Sequence, residues 1–271
     1  MKALLIINPQ KAASFALAGE INAVLESKAV EVSAFSYTDH APPSLDFDII
    51  LSLGGDGTVL FSARTAAERG IPVLPVNLGT LGFIATVAPE NWEEAFEKWR
   101  AGNSVISERV MLDVRLERAG KSVFFERALN DAVISSSGIA KTIRLSAKTK
   151  GLSLAQYRSD GLVVATPTGS TGYSASAGGP VLDPEMEAVI ISPICPFSQF
   201  QRPLVLPADE ALFISVEPEQ QSEIMLTIDG QISEALETGD VVQIRKADRK
   251  ASLIAAGRKA YYKALHTKRG R

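Results

Sequence analysis

Asp48-Ile49-Ile50-Leu51-Ser52-Leu53-Gly54-Gly55-Asp56-Gly57-Thr58 carries the reading of the fold. Its first six residues are a short, nearly continuous apolar run, the pattern of a strand buried on both faces. The run stops at a glycine turn, and residues 58–69 then take on helical spacing. Working outward, the alternation repeats. Residues 2–8 form an apolar run ended by Asn8-Pro9, and Phe15, Leu17, Ile21, Val24 and Leu25 recur at roughly helical spacing within 14–28. Residues 30–35 read as a strand, Ala41-Pro42-Pro43 as a loop, 72–76 as a strand and 89–100 as a helix. Strands alternating with helices predict βαβ units and a parallel sheet.

The pattern changes near residue 105. Val110, Leu112, Val114 and Leu116 alternate with Met111, Asp113, Arg115 and Glu117, as a half-buried strand does, and 143–148, 211–216 and 224–228 alternate as well. Helical spacing is scarce through residue 250. The expected fold is an α/β N-terminal domain with a parallel sheet, residues 1–104, and a mostly-β C-terminal domain, residues 105–251. Residues 252–271, with a helix at 259–265, are expected to pack back on the first domain.

Composition narrows the chemistry. At 46% hydrophobic and 22% charged, a chain of 271 residues can fill a sizeable core. Its net charge of −3, with lysines and arginines spread along the chain, lacks the concentrated basic surface of a nucleic-acid binder. The basic end, Lys263 and 268–271, reads as a solvated tail. Neither a signal peptide nor an apolar run of the ~18–20 residues that span a membrane is evident. The lone Cys195 allows no internal disulfide and suits a reducing, cytoplasmic setting. With only His40 and His266 beside it, no His/Cys zinc site or histidine-based triad is expected, so a catalytic base would be a carboxylate.

Two segments offer such chemistry. In Gly54-Gly55-Asp56-Gly57-Thr58, glycines between a strand and a helix let backbone N–H groups approach a phosphate, and the helix N-terminus favours negative charge. The sequence is neither Gly-x-Gly-x-x-Gly nor a Walker A loop, and the carboxylate inside the turn is its distinctive part. The second segment is Asp160-Gly161-Leu162-Val163-Val164-Ala165-Thr166-Pro167-Thr168-Gly169-Ser170-Thr171-Gly172-Tyr173-Ser174, extended by Ser176-Ala177-Gly178-Gly179-Pro180. Its hydroxyls, glycines and one aromatic ring suit contact with a nucleotide.

These segments, with Asn77-Leu78-Gly79-Thr80-Leu81-Gly82-Phe83, Asn130-Asp131 and Asp229-Gly230-Gln231, resemble the NAD kinase family over nearly the whole chain. The resemblance implies transfer of the γ-phosphoryl group of ATP to the 2′-hydroxyl of NAD, with Mg²⁺ or another divalent cation accompanying ATP. Whether other triphosphates or polyphosphate serve is left open. It implies Asp56 as proton acceptor, with Gly54, Gly55, Gly57 and Thr58 around it. Asn130 and Asp131 are implied at the adenosine ribose, and Lys141 and Arg158 as basic contacts to nucleotide. Asp160 would meet the nicotinamide end from a neighbouring subunit of a homodimer or homotetramer. Thr171, Gly172, Tyr173, Ser174 and Ser176 would line the adenine and ribose side, Phe83 would form an apolar wall, and Gln231 a late contact.

Two positions depart from the family pattern. Asp131 stands where the family has Glu, one methylene longer, and Phe61 stands where many members carry a basic residue near the phosphates. The phosphoryl-donor contacts are therefore expected to differ. The rival readings are a lipid or sphingoid kinase sharing the glycine turn, and a non-catalytic dinucleotide sensor. Against the first stands the polar segment 160–180; against the second stands Asp56.

Overall fold

The computed structural model describes residues 1–37, 42, 46–79, 82–138, 141–220 and 222–269. His40, two residues of the Ala41-Pro42-Pro43 loop, Thr80, Leu81, Gly270 and Arg271 fall outside the described residues. The chain divides into one unit of Met1–Arg109 with Arg249–Arg271 and another of Val110–Asp248.

In chain order the first unit holds β1 (Lys2–Ile7), α1 (Ala12–Ser27), β2 (Glu31–Ser36), β3 (Ile49–Gly54), α2 (Asp56–Ala67), β4 (Val73–Asn77), α3 (Trp92–Arg100) and β5 (Ile106–Arg109). The second holds β6 (Leu112–Arg118), β7 (Lys121–Ala128), β8 (Asp131–Ser136), β9 (Ile143–Thr149), β10 (Leu152–Ser159) and β11 (Gly161–Ala165). The short helix α4 (Tyr173–Ser176) follows, then β12 (Ala188–Ile194), β13 (Leu204–Pro207), β14 (Leu212–Val216), β15 (Ile224–Ile228), β16 (Ile232–Leu236) and β17 (Val241–Lys246). The chain returns to the first unit with β18 (Ala251–Ile254) and α5 (Arg258–Arg269).

The first unit is built on a sheet of order β2-β1-β3-β4-β18-β5, parallel from β2 to β18, with β5 antiparallel at the edge. Every residue of β3 is buried, as its unbroken apolar run requires of a strand covered on both faces. Leu5, Leu51, Leu53, Leu74 and Val76 share a core with Leu17, Ile21 and Leu25 of α1 and with Trp92 and Phe96 of α3. In α1 the buried residues Ser14, Leu17, Ala18, Ile21 and Leu25 fall three and four apart, so they make one stripe facing the sheet. In α3 acidic Glu93 and Glu94 occupy the first turn and Lys98 and Arg100 the last, in the sense that complements the helix dipole.

The second unit is antiparallel throughout. One sheet runs β10-β9-β14-β17-β6-β7 and the other β13-β12-β11-β8-β15-β16. Period-two alternation sends Leu112, Val114, Leu116, Leu145 and Ile214 of the first sheet into a common core with Ile134, Leu162, Val164 and Leu226 of the second. The second sheet is also covered on its outer face, where Val133, Val163, Ala165 and Ile190 pack against Ala177 and Leu182. For that reason β11 is buried along its whole length instead of alternating.

Candidate active site

In the first unit the chain leaves β1 for β2 on one side, while β3 pairs on β1's other side. A strand order that reverses in this way opens a crevice beyond the carboxyl ends of the two central strands. The residues there are Asn8 after β1 and the Gly54-Gly55 turn at the end of β3. Hydrogen bonds fix the turn. The Leu78 N–H donates to the Gly54 carbonyl at 2.7 Å, and the Leu53 carbonyl accepts from the Asn8 N–H at 3.2 Å and from the Ser14 hydroxyl. Thr58 is buried and receives a 3.4 Å contact from the Asn8 side-chain amide on its hydroxyl.

Asp56 opens α2, and its carboxylate reaches across to a segment 27 to 29 residues later. Oδ2 accepts from the Phe83 N–H at 2.9 Å, and Oδ1 from the Ile84 and Ala85 N–H groups at 3.2 and 2.9 Å. The preceding residue must be glycine, because a Cβ on Gly82 would come within 2.0 Å of Oδ1. The half-buried Phe83 ring packs 5.9 Å from Tyr261 of α5. Phe61 is buried, with its ring 4.6 Å from that of Tyr37 and stacked on Phe35 at 6.3 Å, so α2 uses it to pack against β2. The cation beside the glycine turn comes from elsewhere. Lys11, just before α1, donates from Nζ to the Leu78 carbonyl at 3.1 Å.

The second unit gathers Asn130, Asp131 and Tyr173 around a cavity of about 400 Å³, with Val133, Ser135, Thr227, Asp229 and Gly230 completing its wall. Gly172 lies close by, since a Cβ on it would be 3.8 Å from both Asn130 Nδ2 and Asp131 Oδ2. The Asn130 side-chain oxygen is buried and without a hydrogen-bond partner. Asp229 holds this wall in place. Its carboxylate accepts from the Leu129, Asn130 and Asp131 N–H groups at 3.0, 2.8 and 3.1 Å. That reach depends on the tight turn between β15 and β16, in which Asp229 and Gly230 have φ of 50° and 67° and the Gln231 N–H donates to the Ile228 carbonyl at 2.9 Å. Asp and Gly are the residues that tolerate this conformation. An Asp-Gly pair after an alternating strand is a turn signal in sequence; its carboxylate's partners, some 100 residues earlier, are not.

Burial first, and then the charge of Asp229, push the Asp131 carboxyl up from 3.8 to about 7. Between about pH 4 and 7 the folded protein therefore keeps a proton that the unfolded chain has released. Stability falls as pH rises through that window, and the full penalty is present above about pH 7. Asp131→Asn should consequently stabilise the protein by about 2–4 kcal/mol above pH 7. The gain should vanish below about pH 4. Chemical denaturation of both proteins across the pH range measures this, and a pH-independent difference would remove Asp131 as its source.

The remaining predicted residues spread over the second unit. Thr171 is half-buried, with its hydroxyl 3.4 Å from the Thr168 carbonyl. Ser174 is buried, its hydroxyl 3.0 Å from that of Ser192, and Ser176 is exposed on the same short helix. Arg158 faces a different cavity of about 520 Å³, shared with Arg144, Gln156, Phe197 and Gln201, and its guanidinium lies 4.6 Å over the Phe197 ring. Asp160 joins β10 to β11, its N–H donating to the Ile194 carbonyl at 2.9 Å. Lys141 is exposed and Gln231 half-buried. Lys141, Arg158 and Asp160 do not line the Asn130–Asp131 cavity. Among the described residues, no group of three or more His, Cys, Asp or Glu could hold a metal, and no helix is long and apolar enough to cross a membrane.

A glycine turn at the switch point of a parallel sheet makes the first unit an open α/β domain. The ATP-NAD kinase N-terminal domain matches residues 36–103, and the ATP-NAD kinase C-terminal domain matches residues 129–256. An NAD kinase of Treponema denticola is 40% identical over 99% of this chain and 96% of its own. One of Citrifermentans bemidjiense is 43% identical over 82% of this chain and 77% of its own. The chain belongs to the NAD kinase family. Two solved structures share its fold over the full chain. Yeast NADH kinase complexed with NADH matches with a TM-score of 0.88 at 24% identity over 88% of that chain, a likeness of fold alone. The Archaeoglobus fulgidus NAD kinase in complex with ATP matches with 0.82 at 27% identity over all of that chain.

Proposed function

We propose that this chain transfers the γ-phosphoryl group of ATP to the 2′-hydroxyl of the adenosine ribose of NAD. The new bond joins the ribose 2′-oxygen to the γ-phosphorus, the bond from that phosphorus to the β–γ bridging oxygen breaks, and ADP and NADP leave. The observation that carries the reading is Asp56 at the head of α2, inside a glycine turn that falls in the stretch matching the ATP-NAD kinase N-terminal domain. A carboxylate offers about four acceptor positions. Three are engaged by the amides of Phe83, Ile84 and Ala85, which hold the group rigidly and leave capacity for a substrate hydroxyl. In this reading Asp56 orients the 2′-hydroxyl and takes its proton as the P–O bond forms. Phosphoryl transfer passes through a loose transition state, so positioning and charge neutralisation contribute most. Mg²⁺ or another divalent cation would arrive on ATP, held mainly by phosphate oxygens and water.

The Asn130–Asp131 cavity suits the adenosine ribose, with two side chains able to meet hydroxyls and the Tyr173 ring exposed at its edge. Homodimeric or homotetrameric assembly in the cytoplasm fits the lone Cys195 and the exposure of Phe197, under the Arg158 guanidinium, and of Phe200, at 74% and 90%. The direct test mixes purified protein with Mg-ATP or polyphosphate and with NAD or NADH, and follows NADP(H). No NADP(H) from any pairing would overturn the reading. Tyr173→Ala should raise the KM for NAD by roughly 5- to 100-fold, as loss of ~1–3 kcal/mol of ring–base contact implies. The KM for ATP should move far less. Equal rises would mean that the 171–176 segment had collapsed.

A further inference from the structure

Lys11 carries no role in the family reading, and its surroundings are those of a built anion contact. Its side chain leaves the start of α1 and places Nζ 3.1 Å from the Leu78 carbonyl. Two glycine turns flank the ammonium: a Cβ on Gly79 would lie 2.8 Å from Nζ, and one on Gly55 would lie 3.9 Å away. The charge therefore stands between the turn after β4 and the turn that starts α2, beyond the carboxyl ends of the parallel strands.

Lys11 forms no ion pair among the described residues. An ammonium has three donors, and the Leu78 carbonyl takes one of them. A half-buried ammonium with one carbonyl partner keeps two donors for an incoming anion. The amide dipoles at the head of α2 favour the same sign of ligand. Phe61 on α2 is buried against Phe35 and Tyr37 and brings no charge to the turn.

We propose that Lys11 binds the polyphosphate chain of the phosphoryl donor. The assignment rests on the kinase reading above. The chemistry is common to a nucleoside triphosphate and to inorganic polyphosphate, and Lys11 would act as a compact point charge on phosphate oxygens.

The test compares Lys11→Met, which keeps the apolar stem, and Lys11→Arg, which keeps the charge. Binding of inorganic tripolyphosphate is measured by calorimetry, KM for donor and acceptor by NADP formation, and folding by melting temperature. Lys11→Met should weaken tripolyphosphate binding and raise the donor KM about 10- to 100-fold, the scale of one charge-assisted hydrogen bond. The NAD KM should stay within about threefold, and Lys11→Arg should recover most of the loss. Running the kinetics with Mg-ATP and with inorganic polyphosphate shows which source supplies the chain. Unchanged tripolyphosphate affinity would overturn the proposal. So would a joint rise of both KM values with a lower melting temperature, which would make Lys11 only a tie for the Leu78 turn. If the parent protein makes no NADP, the kinase reading fails by itself, and the tripolyphosphate measurement still decides whether Lys11 is an anion contact.

Discussion

An Asp56→Asn chain is expected to fold, to bind NAD nearly as well as the parent, and to turn over about 10²–10⁴-fold more slowly, the usual contribution of a general base. A ribose hydroxyl is a poor nucleophile at neutral pH, and Asn keeps the size of the side chain while losing its charge and basicity. The hydrogen bonds of Asp56 add a second, separable effect. Asn can still accept from the Ile84 and Ala85 amides through one oxygen, but its NH₂ group would face the Phe83 N–H, which Oδ2 accepts in the parent. One unmet amide donor costs about 1–3 kcal/mol, so the melting temperature should fall by several degrees. Measuring kcat, NAD binding and melting temperature on one preparation separates the two effects. Near-parent kcat in the folded variant would leave Asp56 as a clasp for residues 83–85 and pass proton acceptance to solvent or phosphate.

Asp229→Ala should be the most destabilising single change at the second unit's cavity, by about 3–5 kcal/mol. It removes the acceptor for three consecutive amides, two of which belong to the cavity residues Asn130 and Asp131. It also puts a residue with a Cβ but no local hydrogen-bonding group at a φ of 50°. NAD affinity should fall with stability, because the wall that carries the ribose contacts is no longer held. Asp229→Asn is the informative companion. It tolerates the left-handed conformation and keeps one acceptor oxygen, so it should recover part of the stability. It also removes the charge that helps hold the Asp131 carboxyl up, so the pH dependence of stability should move to lower pH. A denaturation midpoint unchanged by Asp229→Ala would show that the three amides find other partners.

Asp56 and Asp229 work in the same way: a carboxylate at a tight turn gathers three successive amides from a remote stretch of chain. In sequence both are Asp-Gly pairs, which read as turns on local grounds. Their turns were legible, and their partners were not, because nothing in local composition records a contact 27 or 100 residues away. Lys11 shows the same limit. One lysine before an amphipathic helix reads as solvated, and only the packing of β3 and β4 beside β1 brings the two glycine turns to its ammonium.

The sequence by itself determined the alternation of buried strands and helices that makes a parallel sheet, and the change to period-two alternation after residue 105. It also determined the glycine turn that carries Asp56, and the family whose motifs recur in order along the chain. These are local or ordered signals, set by which faces of a strand or helix meet water. Strands β7, β10 and β16 are among those that escaped the reading. Exposed edge positions in Lys121–Ala128, Leu152–Ser159 and Ile232–Leu236 blur the alternation. Segment 160–180 read as a polar loop tethered to an apolar strand, which is β11, but the loop also holds a turn of 3₁₀ helix at Gly169–Thr171 and α4, elements too short for a 3.6-residue period to register. Only the tertiary structure decided that Phe61 belongs to the packing of α2 and that Asp131 sits desolvated beside a second carboxylate. It alone set Arg158 and Asp160 off the wall of the cavity that Asn130 and Tyr173 share. Each of these depends on which strands pair and in what register, a choice made by burying the whole core at once.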